Sequence, residues 1–186
     1  MMMEMFGGMF ALMLLAYSII PLFPFVYVIL RWRQAREGET PDPQLGLKVA
    51  LHYFATIGWH ITLVAVFVLL YSFVVDGSRM QEVFVRMGAG LLLGGLIVYG
   101  LHRVLINRLT DSAQRPNVTR IFKGLNLVLC GLIGMAALVA VCVMITQEEI
   151  PEEPFKLAGI LMVVYLAAWG SQARSLAGST PTAKPA

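Results

Sequence analysis

Five long stretches of the sequence contain no charged residue, and this pattern limits the fold more than any other feature. Together they hold 110 of the 186 residues, and their ranges are 5–30, 49–75, 87–102, 124–147 and 157–173. A helix needs about 20 consecutive apolar residues to cross the hydrocarbon core of a bilayer, which is about 30 Å thick. The pattern therefore predicts a polytopic membrane protein, and it excludes a soluble enzyme core and a secreted disulfide scaffold.

The apolar stretches are predicted to be helices. Backbone groups in lipid must be paired internally, and the strand of a membrane barrel alternates in polarity over about ten residues. The run 63–70, LVAVFVLL, shows no such alternation. Only 13% of the residues are charged, whereas a soluble domain has about 25%. The expected fold is an all-α bundle of membrane-spanning helices.

Five spans are predicted, within a single transmembrane domain that covers residues 1–176. The stretch 87–102 is short for a span, but apolar residues flank it, and Arg86 or Arg103 can extend its charged end to the interface. The tail 177–186 is rich in Ser, Thr, Pro and Ala and is expected to be disordered. The predicted spans are about 6–30, 48–75, 83–106, 121–146 and 155–173.

The distribution of basic residues predicts the orientation. With five spans and the N-terminus outside, the inner segments hold 11 Lys and Arg and the outer segments hold 3. This bias is what the positive-inside rule requires. If 87–102 did not span, the most basic loop, 103–123, would lie outside. We therefore expect an N-out, C-in protein, and the absence of a transit peptide fits a bacterial inner (cytoplasmic) membrane.

The clearest polar feature within a span is His52, Thr56 and His60. Their spacing of four residues places them along one helix face, in steps of about 6 Å. Ionisable groups in a bilayer are costly and are therefore candidate functional residues. Three interpretations remain open: hydrogen bonds to a neighbouring helix, the lining of a pore or cavity, and ligation of a cofactor.

The cofactor interpretation can be made specific as a b-type haem. His52 and His60 share one helix face, so they cannot occupy opposite sides of one iron. His102, at the inner end of the third span, should lie at a depth similar to that of His52. A bis-histidine haem between these two residues is therefore conceivable. No intramembrane carboxylate accompanies the histidines, so no metal site is expected.

Two further features concern helix packing and the inner loop. Gly90 and Gly94 form a G-x-x-x-G pair, which allows two helix backbones to approach closely, either within one protomer or between copies. The basic loop 103–123 has the charge to attract anionic lipid headgroups, although its role in topology already accounts for that charge.

The function is predicted mainly by elimination. None of the five stretches contains Asp or Glu, so the usual carboxylate of a proton or cation transporter is missing. No catalytic residue is expected, and the chain lacks a basic soluble domain for nucleic acid. The first expectation is a non-enzymatic structural or accessory subunit of a homo-oligomer or larger membrane complex. The alternatives are a pore lined by the His52, Thr56 and His60 face, and a b-type haem subunit for electron transfer.

Overall fold

The structure, a computed structural model, describes residues 25–38, 40–75, 77–112 and 115–178. These residues form helices joined by short turns, with no strand among them, which confirms the all-α class. The helices are α1 Phe25–Glu37, α2 Leu45–Ser72, α3 Ser78–Leu109, α4 Arg115–Ile145 and α5 Glu152–Ala177.

Four of these helices, α2 to α5, are long and apolar enough to cross a membrane. They correspond to the second to fifth predicted spans, and they indicate an integral membrane protein. Most of the first predicted span, 6–30, lies outside the described residues. Its last residues, 25–30, begin α1, which continues through Arg31 and Arg33 to Glu37. The predicted disordered tail 177–186 also lies outside the described part, except for residues 177 and 178.

The helices extend beyond the charge-free stretches from which they were predicted. The third span was expected to cover 83–106, whereas α3 covers Ser78–Leu109. Charged residues end an apolar stretch but not a helix, because Arg, Glu and Gln have high helix propensities. Glu82 and Arg86, which precede the charge-free stretch 87–102, form an ion pair one turn apart in α3, with 2.5 Å between Oε1 and Nη2.

Glycine and proline mark several helix ends. Gly38 follows α1 with a φ of 68°, and Gly77 precedes α3 with a φ of 97°. Glycine reaches these left-handed conformations without a steric penalty, which explains why the chain turns there. Pro151 precedes α5, and Glu152 and Glu153 occupy its first turn. Carboxylates at that position interact favourably with the helix dipole.

Helix α2 occupies the centre of the bundle. Helix α3 packs chiefly along α2, whereas α4 packs along α5, and both of the latter also contact α2. The largest apolar core joins α2, α4 and α5, and its buried residues are Leu63, Leu129, Cys130, Ile133, Ala137, Leu161, Val164, Tyr165 and Ala168. A smaller core fixes α1 against the start of α2 and α4.

Polar contacts at the two ends of the bundle show that α2 to α5 alternate in direction. At one end, Lys48 of α2 bonds to Asp111 beyond α3, and Lys123 of α4 bonds to Ser175 of α5. At the opposite end, the hydroxyl of Tyr71 donates to Glu153, at 2.9 Å from Oε2. We call these the Lys48 end and the Tyr71 end. Alternation is what consecutive membrane spans require.

Candidate functional site: a polar cleft at the Lys48 end

The predicted polar stripe faces α4. His52 Nδ1 lies 2.7 Å from the Lys48 carbonyl oxygen, and Nε2 lies 2.8 Å from Thr119 Oγ1. A carbonyl only accepts, so Nδ1 donates to it, and Nε2 of the neutral ring accepts from the threonine hydroxyl. His60 Nε2 lies 3.2 Å from Asn126 Oδ1. His52 and His60 thus form hydrogen bonds to a neighbouring helix, as the first of the three interpretations of the stripe expects.

The stripe also borders a cleft between the helices. The cleft encloses about 480 Å³ including its open mouth, and His52 and Thr56 line it, whereas His60 does not. Four helices contribute to its wall. The other polar or aromatic residues that line it are Trp59 of α2, Tyr99 and Arg103 of α3, Thr119, Phe122, Lys123 and Asn126 of α4, and Gln172 of α5.

The cleft is cationic. It is lined by the side chains of Arg103 and Lys123, and none of its described lining residues is an Asp or Glu. The Lys123 ammonium donates to the Ser175 hydroxyl, at 2.7 Å. Deeper in the cleft, the rings of Trp59 and Tyr99 are in contact, with their centroids 5.9 Å apart. Cations therefore lie beside an aromatic wall.

The sequence interpretation missed this grouping. It treated Arg103 and Lys123 as charges of the basic loop 103–123, able to attract lipid headgroups, and did not predict that they line one cleft with residues of α2 and α5. One signal was present: Arg103 directly follows the charge-free stretch 87–102, and Lys123 directly precedes 124–147. Both residues therefore had to lie at the same edge of the apolar layer, although their contact with one cleft depends on the helix arrangement.

The two proposed haem ligands do not face a common space. His102 Nδ1 lies 2.7 Å from the Val98 carbonyl oxygen, and its ring packs on Phe54 with centroids 5.3 Å apart. His52 instead has its ring beside Phe122 of α4. Phe54 and His52 are about 200° apart around α2. These residues do not fit a haem that bridges His52 and His102.

The cleft does not continue as a path through the described bundle. One to two turns beyond His60 and Asn126, the helices are packed by Leu63, Leu129 and Ile133, each at most 7% exposed. Water passage would require this layer to open. The geometry around the stripe therefore favours helix packing over a pore within one protomer.

The glycines of α3 have two distinct environments. A Cβ at Gly95 would lie 2.6 Å from Thr62 Oγ1, and one at Gly88 would lie 2.7 Å from Leu69 Cγ. The predicted pair, Gly90 and Gly94, faces away from α2, and a Cβ at either position meets no described atom within 4 Å. The sequence left open whether this pair packs within one protomer or between copies. Among the described residues of the protomer, none packs against it.

A buried ion cluster closes the Lys48 end. The Lys48 ammonium lies 2.6 Å from Asp42 Oδ2 and 2.6 Å from Asp111 Oδ1, and the Lys48 side chain is 0% exposed. The Gln44 side chain accepts from the Asp111 backbone amide at 2.9 Å. These contacts join the α1–α2 turn to the α3–α4 turn.

No group of three or more His, Cys, Asp or Glu within residues 25–38, 40–75, 77–112 and 115–178 has the arrangement to hold a metal ion.

Comparisons of the chain with protein-family models, with curated proteins and with solved structures found no match.

Proposed function

We propose that the protein is a non-enzymatic structural or accessory membrane subunit that self-associates through the outward face of α3. The observation that carries the proposal is the arrangement of that helix. Only 11% of its apolar window is buried, against 33–39% in the other three candidate spans. Among the described residues, little packs on α3 outside its contact with α2, so most of its surface is open to lipid or to a partner.

The outward face of α3 has the pattern of a helix-packing seam. Seven of its exposed apolar and glycine residues follow one another in alternating steps of four and three, which is the spacing of a seam between two helices. The seam lies about 140° around the helix from Gly95, which contacts α2. We call it the α3 seam, and its members are Val83, Met87, Gly90, Gly94, Ile97, Leu101 and Val104.

The two glycines favour a protein partner over lipid. Small residues four apart let two backbones approach closely, and such approach supplies much of the attraction between helices in a bilayer. A second copy is the occupant we propose, because identical seams can pair around a two-fold axis normal to the membrane. Arg86 and Arg103 lie near the two ends of the seam, and no charged residue lies between them, so the centre of the seam is within the apolar layer.

The proposal includes five spans with the N-terminus outside and the C-terminus inside, in a bacterial cytoplasmic membrane. The alternating directions of α2 to α5 support consecutive crossings. The excess of Lys and Arg at the Lys48 end supports its assignment to the inner side. The lipid bilayer and further copies of the chain are then its main partners.

The test is the native mass of the full chain in mild detergent. We expect the wild type to be oligomeric and the double variant Gly90→Leu and Gly94→Leu to be monomeric, because the leucines separate the two backbones. Leucine also has a higher helix propensity than glycine, so folding should be retained.

The matched control replaces two glycines on other helices. A Cβ at Gly124 of α4 or Gly159 of α5 also meets no described atom within 4 Å. The variant Gly124→Leu and Gly159→Leu should keep the oligomer. A wild type that is strictly monomeric without a co-purifying partner, or equal losses in the two double variants, would contradict the proposal.

A further inference from the structure

We propose that the polar cleft at the Lys48 end binds the phosphate of an anionic diacyl phospholipid, with the acyl chains directed toward its aromatic wall. The cleft lies on the side of α2 between α3 and α4, away from the α3 seam. The inference therefore stands whether or not the protein self-associates.

The charge of the cleft matches a phosphate. Arg103 and Lys123 come from different helices, and neither forms an ion pair with a described carboxylate. Guanidinium and ammonium groups are the usual partners of phosphate oxygens. A cleft that brings two cations together without a carboxylate is incompletely neutralised, and an anion completes it.

The neutral groups of the cleft are also suited to an acceptor-rich ligand. The Trp59 indole N–H is a donor only, and its nitrogen is buried without an acceptor among the described residues. The Gln172 amide lines the same cleft and supplies two further N–H groups. Phosphate and ester oxygens can accept from these donors.

The depth of the cleft favours a lipid over a soluble anion. Arg103 and Lys123 lie at the boundaries of two charge-free stretches, and this is the level at which lipid phosphates meet the apolar layer. Trp59, Tyr99 and Phe122 line the cleft beside them. Aromatic residues are favoured at this interface. The cleft therefore offers a charged part and an apolar part, as an amphiphile requires.

The experiment is native mass spectrometry of the full chain titrated with phosphatidylglycerol or with phosphatidylcholine. Each basic residue near an anionic headgroup contributes about five-fold in affinity. We expect tighter binding of phosphatidylglycerol to the wild type. The variant Arg103→Gln and Lys123→Gln should weaken that binding by about 30-fold and leave phosphatidylcholine binding unchanged.

The control variant is Arg108→Gln and Arg120→Gln, which removes the same charge from exposed residues near the same end. It should change phosphatidylglycerol binding by less than about two-fold. If the cleft double variant fails to fold, the single variant Arg103→Gln tests the proposal. Arg103 is exposed, so its substitution should not disturb folding, and it should lower phosphatidylglycerol binding about five-fold.

Three results would overturn the lipid assignment. They are equal binding of the two lipids by the wild type, equal losses in the cleft and control variants, and displacement of phosphatidylglycerol by an equimolar amount of inorganic phosphate. The last result would identify a site for a soluble anion. Retention of the lipid in a large excess of phosphate supports the proposal.

Discussion

The Lys48 ammonium, at the start of α2, lies between the carboxylates of Asp42 and Asp111. The two carboxylates are 6 and 63 residues away along the chain. Local sequence could suggest the first pair, but the second depends on the arrangement of α2 and α3.

We predict that Lys48→Met destabilises the protein by about 3 kcal/mol. Removal of one partner leaves the Asp42 carboxylate, which is 3% exposed, without its counter-charge. The loss should fall at the lower end of the range for buried pairs because Asp111 is 50% exposed. The measurement is the free energy of unfolding in mixed micelles titrated with a denaturing detergent.

The control for this prediction is Arg86→Gln, which breaks an exposed pair. Arg86 Nη2 lies 2.5 Å from Glu82 Oε1, and the two side chains are 78% and 61% exposed. Exposed pairs contribute less than about 1 kcal/mol. Similar losses for the two variants would show that the Lys48 cluster is not a buried structural contact.

For the helices, the sequence predicted which segments are helical, but it did not predict which face of each helix contacts a neighbour. Absence of charge identified α2 to α5, because only a helix satisfies its own backbone in lipid. It did not identify which glycines contact a neighbour. Gly94 and Gly95 are adjacent, yet they point about 100° apart, and only Gly95 approaches α2. The spacing G-x-x-x-G marks a close-packing face without saying which helix it meets.

We predict opposite outcomes for alanine at these two adjacent positions. A Cβ at Gly95 would lie 2.8 Å from the Thr62 backbone nitrogen, which cannot move without displacing α2. Gly95→Ala should therefore lower the free energy of unfolding by about 1–3 kcal/mol. Gly94→Ala should not lower it within the protomer, and the higher helix propensity of alanine should raise it by up to about 1 kcal/mol.

Thermal unfolding in a detergent that keeps the protein monomeric measures this contrast. Monomeric conditions are needed because Gly94 belongs to the α3 seam and its substitution also affects association. Equal destabilisation by the two variants would mean that the packing of α2 and α3 is not the one described.

At the scale of the whole molecule, the polar cleft could not be predicted because it combines residues from four helices. The sequence indicated His52 and Thr56 through their regular spacing on one helix. Arg103, Lys123 and Gln172 join them only after α3, α4 and α5 have packed around α2. Histidine was expected to be the central chemical group, whereas the structure assigns His52 and His60 to contacts with α4.

The orientation of the molecule leads to a labelling prediction. Ser78 and Ser112 lie at opposite ends of α3, and each is replaced by cysteine in a separate variant. Both variants also carry Cys142→Ala, because Cys142 is exposed, whereas Cys130 is fully buried and should not react. A membrane-impermeant maleimide should label Ser78→Cys in intact cells. It should label Ser112→Cys only after the cells are permeabilised.

Two patterns of labelling would contradict the topology. Labelling of Ser112→Cys alone in intact cells would show that the orientation is opposite to the one proposed. Labelling of both positions in intact cells would show that α3 does not cross the membrane, and the positive-inside argument for five spans would then fail.

Cross-linking in native membranes tests whether copies of the chain meet through the α3 seam. Ile97 lies on the seam and is 57% exposed, whereas Val139 lies on α4 and is 61% exposed. In the Cys142→Ala background, mild oxidation should convert Ile97→Cys into a disulfide-linked dimer, because a two-fold axis brings identical seam positions together. Val139→Cys should remain a monomer. Equal dimer yields at the two positions, or no dimer of Ile97→Cys, would contradict the claim.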